Sequence, residues 1–402
     1  MKVKAREAIA MAMRAASSEV ATCVPGLGAT EIFCDYCVLQ SQRPVFSFHE
    51  EVAYTIAHGA ALAGKRAFTS MKAHGFFKAA NSVSDSLYSG TLAGFVSLVV
   101  DDRNGIQSDS IADTLGFVEG MGIPHKMANV EEVFDDIFDG FMLSERLELP
   151  FALIIDASDL DQPSCIPTKR YIDPPPWHYQ RDITQHVLCP PFCKYQRDVL
   201  QCKLTRGTWK SIVKPAIRPL SETLPEKWKS AAKQYAIIFE ALRSAKGEIA
   251  AGDTGLSTLF ALPPYDCIDV TTYMGGSVPL AMGAHMAGVS PAWAISGDFS
   301  FIAAGHLGLL EAVQRHIPLK ILLLCNGKAE TTGGQKIQEG LLDRILLGYE
   351  EYVYFIHDPL DRGEVESTIK KASFSQELSL VVADFQNLKR LGFANHKQVE
   401  IT

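Results

Sequence analysis

Three things are scarce in this chain. No uninterrupted apolar run approaches the ~18 residues that a membrane span requires, so no membrane partner is expected. Basic residues are outnumbered: 38 Lys and Arg against 46 Asp and Glu leave a formal charge of −8. That balance offers no surplus cation for nucleic-acid phosphates, and no nucleic-acid role is expected. Cysteine is sparse, nine in 402 residues, which excludes a disulfide scaffold. The opening MKVKAREAIAMAMRAA has too short an apolar stretch for a signal-peptide core and reads as an amphipathic helix. A reducing cytoplasm is the expected location. Cys34-Asp-Tyr-Cys37 is a lone CxxC, and Cys189-Pro-Pro-Phe-Cys193 a lone Cx3C. Neither has the four-ligand spacing of a zinc site or of a ferredoxin-type run.

What is present is an ordinary globular composition, 47% apolar and 21% charged, over a length that suits two or three domains. Residues 52–63 read as a helix rich in small residues. FVSLVV (95–100) and FALII (151–155) read as buried parallel strands, each ending in Asp. Prolines then cluster at 174–176, 190–191, 215, 219 and 225, and periodicity is lost. From 226 the pattern resumes: a helix over 227–245, a strand in GEIAAGDTG, strands at 292–296 and 319–324, and a last helix-and-strand pair near 364–384. The expectation is an α/β protein of two doubly wound parallel sheets. Its boundaries are 1–162, a proline-rich linker 163–225, and 226–402.

The sharpest feature is a pair of strand ends. Gly297-Asp298-Phe299 closes one strand and Cys325-Asn326 the next, with a helix between. In a parallel sheet ligands gather at the carboxyl ends of strands. A carboxylate, an amide oxygen and a nearby carbonyl suit a hard octahedral ion such as Mg2+, with phosphates and water completing its shell. Helix N–H groups near Ser300 would face a phosphate.

This spacing resembles the thiamine-diphosphate motif, GDG followed by about 25 residues and NN, here written GDF and CN. The resemblance implies Asp298, Asn326 and the Lys328 carbonyl as Mg2+ ligands. It implies Gly297, Phe299 and Ser300 beside the diphosphate, and Asp253, Thr254, Gly255 and Ser257 as its cradle. Gly276, Ser277 and Val278 resemble the turn below the cofactor, with the Gly276 carbonyl accepting from the aminopyrimidine and Val278 forcing its bent conformer. The family's activating acid lies at a strand-to-helix junction, and VFSFHEEVA (45–53) has that form. Glu50 takes the role, and Glu51 is expected to be a solvated first-turn acid.

The segments PGLGATEI (25–32), HEEVAYTIAHGAALAGKRAFTSMKAHG (49–75), SLYSG (86–90), VVDDRNG (99–105), GDTGLSTLFALPPYDCIDVTTYMGGSVPLAMG (252–283) and ETTGGQ (330–335) resemble the alpha subunit of indolepyruvate ferredoxin oxidoreductase. The family's cysteine-rich ferredoxin module is not expected in this chain, which has no cysteine beyond Cys325. The implied reaction is decarboxylation of a 2-oxo acid through an ylid and an enamine, releasing an aldehyde. The alternatives are an oxidoreductase subunit whose electron-accepting partner is a separate chain, an acyloin-forming carboligase, and a cofactor-binding regulatory subunit without turnover. His74 and His49 are candidate proton handlers, with His306 a weaker one, and Lys72 a candidate carboxylate holder. A homodimer with two shared sites is expected. Phe46, Phe48, Phe76, Phe77 and Tyr273 read as core, with an aromatic-accepting pocket as the alternative.

Overall fold

Short runs of Val, Ile and Leu, covered on both faces, become the strands of parallel sheets. The computed structural model describes residues 1–167, 171, 174–223, 229 and 232–386. It divides into two compact units, one of residues 1–215 with 282–289, the other of residues 216–281 with 290–402.

The first unit is built on a five-stranded parallel sheet of β1 (Val20–Cys23), β2 (Ala67–Lys72), β3 (Phe95–Asp101), β4 (His125–Met127) and β5 (Phe151–Asp156), in the order β1-β2-β3-β5-β4. Every residue of β3 and β5 is buried. The helices are α1 (Ala5–Ala15), α2 (Ala29–Leu39), α3 (Glu50–Leu62), α4 (Ala73–Lys78), α5 (Ala80–Ser89), α6 (Thr114–Met121) and α7 (Val133–Leu147). On one face α1, α2 and α7 share a core containing Phe33, Phe134, Phe138 and Phe141. Helix α3 is buried from Val52 to Leu62, as its run of Ala and Gly permits. The buried Arg66 is neutralised by Glu145 at 2.6 Å and donates to the Ala16 carbonyl at 2.7 Å, so no charge is left uncompensated.

One feature differs from the sequence reading. Residues 45–48 form no ladder strand. Ser47 N–H donates to the Cys23 carbonyl at 2.9 Å, which sets the segment beside the end of β1. The stretch expected to be a linker has structure of its own, as its length requires. Pro163–Cys165 pairs with Lys2–Lys4, and α8 (Ile183–His186) and α9 (Cys193–Leu204) pack on α5. His186 Nδ1 bonds the Ser89 carbonyl at 2.7 Å, and Lys203 pairs with Glu148 at 3.3 Å. Through Pro215 this stretch clusters with the first unit. Its buried apolar residues, among them Ile183, Val187, Phe192, Val199 and Leu200, are spread over short helices and turns, which leaves no long periodic signal.

The second unit carries six parallel strands: β6 (Ala250–Asp253), β7 (Val270–Thr272), β8 (Trp293–Gly297), β9 (Lys320–Cys325), β10 (Val353–Ile356) and β11 (Ser379–Asp384). Their order is β10-β11-β9-β8-β6-β7. Its helices include α10 (Ala236–Ala245), α11 (Ser277–Met286), α12 and α13 (Arg362–Phe374). Of the helix expected over 227–245, α10 forms the second half, Ala236–Ala245, with a turn at Gln234 and Tyr235 before it; residues 224–228 and 230–231 lie outside the described residues. Helix α12 is α-helical over Asp298–Ser300, π-helical over Phe301–Gly305 and α-helical again over His306–Gln314. All nine cysteines are free thiols. Among the described residues no helix is long and apolar enough to cross a membrane.

Candidate active site

The register of β8 and β9 sets Gly297 opposite Leu324, so Asp298 and Asn326 leave the sheet at the same edge. Asp298 is only 3% exposed. One carboxylate oxygen accepts from Phe299 N–H at 2.8 Å, the other from Gly327 N–H at 2.7 Å. The side chain therefore ties the two strand ends together. Asn326 Oδ1 accepts from Lys328 N–H at 3.1 Å; its Nδ2 donates to the Tyr235 hydroxyl at 3.0 Å and to Glu330 at 3.1 Å. Glu330 also pairs with Lys328 Nζ at 3.1 Å. A Cβ placed on Gly297 would meet no atom within 4 Å, so space is open beside the aspartate. A small cavity of about 30 Å3 is lined by Asp298, Gly327, Gln338, Asp343 and Gln386.

The Asp298 carboxylate, the Asn326 amide oxygen and the Lys328 carbonyl are all hard oxygen donors and fit a divalent cation such as Mg2+. Among the described residues no group of three or more His, Cys, Asp or Glu could hold a metal. A cation at Asp298 would therefore depend on neutral oxygens and on phosphate brought by a ligand.

The other residues expected in this unit fall into two sets. Thr254 is exposed and Gly255 borders open space, while Ser257 is buried. The Gly276 carbonyl accepts from Leu280 N–H at 3.1 Å and so opens α11, whose first residue is Ser277. Phe299 and Ser300 lie in the first turn of α12. Asp253 is fully enclosed. It accepts from Ser277 N–H at 2.9 Å and from the Ser296 hydroxyl, and burial pushes its pKa up to about 6. Its carboxylate ties α11 to β8 rather than facing open space. Val278 is likewise 0% exposed and packs on Gly308, whose Cβ, if added, would lie 2.8 Å from Val278 Cγ1. The bulky apolar side chain that does stand open beside this turn is Met274, 43% exposed. Sequence reasoning missed Met274; its position right after β7, before two glycines, was the available signal.

In the first unit, Glu50 opens α3 behind His49, which is extended at φ −142° and ψ 135°. The helix end favours a negative charge there. The Glu50 side chain is 17% exposed, and its carboxylate lies 2.8 Å from Lys78 Nζ. Gly75 makes room for it: a Cβ there would fall 2.9 Å from Glu50 Cγ and 3.2 Å from Oε1. Glu51 is half-buried, not solvated, and burial raises its pKa; Lys78 opposes that shift and Glu50 adds to it. His74 Nε2 lies 2.9 Å from the Ser110 hydroxyl, with its ring 5.7 Å from Phe77. Lys72 ends β2 just before it. His306 lies in the second unit, bonded to the Phe301 carbonyl at 3.2 Å. Phe76 and Tyr273 are core, as expected, whereas Phe48 is exposed.

Sequence reasoning also gave no role to the aspartates that end β3 and β5. Asp102 accepts from the N–H groups of Ile106 and Gln107 at 2.8 and 2.9 Å, which hold its pKa down at about 2. Arg103 Nε lies 3.5 Å from Asp101 and 3.6 Å from Asp156. Together these groups fasten the loop that carries Ser110.

Residues 253–351 match the family described as thiamine pyrophosphate enzyme, C-terminal TPP binding domain. Within the second unit, these residues are thus similar to that TPP-binding domain. The chain is also similar to indolepyruvate oxidoreductase subunits IorA. That of Archaeoglobus fulgidus is 34% identical over 155 residues, 37% of this chain and 25% of the relative. That of Methanothermobacter marburgensis is 30% identical over 138 residues, 33% of this chain and 22% of the relative. The chain thus spans about a quarter of the length of the curated relatives it matches. Two solved structures share the fold. A thiamine diphosphate-dependent 4-hydroxybenzoylformate decarboxylase of Rhodococcus jostii RHA1 superposes with a TM-score of 0.62 at 13% identity, over 96% of this chain and 100% of that one. A Mycobacterium smegmatis structure, described as a candidate thiamin diphosphate-dependent enzyme, gives 0.64 at 14%, over 94% and 99%. The resemblance in the sequence and the pair of parallel α/β sheets agree with these findings.

Proposed function

We propose that this thiamine pyrophosphate enzyme decarboxylates a 2-oxo acid with Mg2+ as its metal. The observation that carries the reading is the Asp298 carboxylate bridging the ends of β8 and β9, with Asn326 beside it and open space at Gly297. Thiamine diphosphate, when bound, supplies the electron sink that lets the carboxylate of a 2-oxo acid leave as CO2. Asp298, Asn326 and the Lys328 carbonyl hold the metal. Backbone N–H groups of Phe299 and Ser300, with Gly297, receive the diphosphate at the start of α12; Thr254, Gly255 and Ser257 border it. The Gly276 carbonyl accepts from the aminopyrimidine, and Met274, rather than Val278, bears on the ring. Glu50 holds the proton at the ring nitrogen N1′, for which it exchanges its contact with Lys78. His74 and His49 move protons at the reacting carbon. Two copies of the chain share the sites as a homodimer.

A second reading is favoured by the IorA relatives, named as oxidoreductase subunits: the same decarboxylation, with electrons passed to a separate subunit. A panel of 2-oxo acids with thiamine diphosphate and Mg2+, read for CO2 and organic product with and without an electron acceptor, separates the two. CO2 and aldehyde in equal amounts without acceptor are expected. CO2 only with an acceptor and a second polypeptide would replace the decarboxylase by the oxidoreductase. No turnover under any condition would sink both.

A further inference from the structure

Glu50 lies at the carboxyl edge of the first sheet. At the opposite, amino edge, where Ser18 and Glu19 lead into β1, there is an open cleft of about 800 Å3. The last turns of α1 and α2 form its walls. Met11, Leu39 and the rings of Tyr36 and Tyr171 supply an apolar lining. Arg14, Ser17, Ser18, Glu19, Gln40 and Gln42 supply polar groups around them, so the lining is mixed, and concave surfaces that pair an apolar body with placed polar groups are where small ligands bind.

The polar groups of the cleft divide into those already engaged and those not. The Tyr36 hydroxyl donates to the Ser18 carbonyl at 2.6 Å and accepts from the Gln40 amide at 3.1 Å. The Ser17 hydroxyl is 3.2 Å from that of Tyr171. Glu19, on the rim, is neutralised by Lys65 at 2.9 Å. Besides the exposed Gln42, two groups are left over. Ser18 is 1% exposed, and its hydroxyl has no hydrogen-bond partner among the described residues. Arg14, in the last turn of α1, makes no ion pair among the described residues. A buried hydroxyl without a partner is costly unless something else satisfies it, and an uncommitted guanidinium is a fork for a carboxylate.

We infer that this cleft binds a small carboxylic acid with an aromatic or branched apolar body, its carboxylate on Arg14 and its body between Met11, Leu39 and the two tyrosine rings. An amine does not fit this set, since the one acid on the rim is already paired. The site is separate from the cofactor edge, and the inference does not rest on the proposed function.

The test is calorimetric titration of the full chain with sodium 3-phenylpropionate, which has no keto group and so cannot be turned over as a 2-oxo acid. Saturable one-site binding is expected. Arg14→Gln should weaken it about tenfold or more, the loss expected for one charge-assisted contact. Leu39→Trp, which fills the cleft, should abolish it. Circular dichroism checks that both variants stay folded. Binding should be unchanged by Glu50→Gln and by saturating thiamine diphosphate with Mg2+. Four results would overturn the inference: no saturable heat, equal affinity in Arg14→Gln, tighter binding of 3-phenylpropylamine, or displacement by thiamine diphosphate. A chain without thiamine-dependent turnover leaves this titration fully interpretable.

Discussion

Asp298, at the carboxyl edge of the second sheet, has two backbone N–H groups fixed on its two oxygens. Glu50, at the carboxyl edge of the first, faces the ammonium of Lys78, a half-exposed side chain. Backbone amides cannot move away without unravelling the strand ends, whereas a lysine on a flexible stem can. The first arrangement suits a charge that must stay in place while a cation and phosphates gather on it. The second suits an acid that must exchange one partner for another and carry a proton.

Substitutions can break this contrast, and the largest effect is expected at Glu50. Glu50→Gln keeps the shape and removes the proton-carrying acid, so thiamine-dependent turnover should fall by ~10²–10⁴-fold with the thermal midpoint unchanged. CO2 release together with calorimetry checks both halves; a variant as active as the wild type would end the assignment. Asp298→Ala should do the reverse, acting on structure as well as on binding. It strands the N–H groups of Phe299 and Gly327, a loss on the order of 3 kcal/mol in denaturant unfolding. A fluorescence titration with thiamine diphosphate and Mg2+ should then show no saturation.

The two units also respond to acid with opposite sign. Burial raises the pKa of Asp253, in the second unit, from 3.8 to about 6. Its contribution to stability is therefore full below pH 3.8 and is lost as the pH rises through about 6. Burial lowers that of His58, in the first unit, from 6.5 to about 4, with the Gly90 carbonyl opposing the shift. Its contribution is full above pH 6.5 and is lost as the pH falls through about 4. Stability measured across this window, as wild type minus Asp253→Asn and wild type minus His58→Gln, should slope in opposite directions. Each change across the window should amount to about 3 kcal/mol. Parallel slopes would contradict the buried states of these groups. The smallest effect is expected for Gly75→Ala, where the added methyl pushes the Glu50 carboxylate aside. A loss of roughly tenfold in kcat, about 1.4 kcal/mol, with cofactor affinity retained, would show that Glu50 is aimed as well as present.

Particular residues show what is legible in a single sequence. The runs ending at Asp101, Asp156, Gly297 and Cys325 mark their strands because a parallel strand buried on both faces must be continuously apolar. The interval from Asp298 to Asn326 marks their meeting because a strand–helix–strand unit has a narrow range of lengths. Val278 and Met274 are not separable by that logic, since both are apolar and both border the same glycine pair. Only the packing of Val278 on Gly308 shows which is enclosed. Asp253 misleads for a related reason: an acid beside a glycine turn reads the same whether it faces a ligand or Ser277 and Ser296. Gly75 carries no signal for Glu50, because closeness between residues of different helices is a property of the fold.

The π-helical stretch Phe301–Gly305 lies between Asp298 and the part of α12 that packs on Val278 through Gly308. Such a stretch carries one residue more than an α-helical ladder needs. Each residue of an α-helix advances the chain by about 100° around its axis. Deleting Ala303 alone would remove the extra residue and leave a continuous α-helical ladder, with the aspartate and the anchored half keeping their relative bearing. The same deletion within the α-helical part would turn the two halves apart by that angle, so neighbouring residues of one helix differ in what the loss of a single codon does.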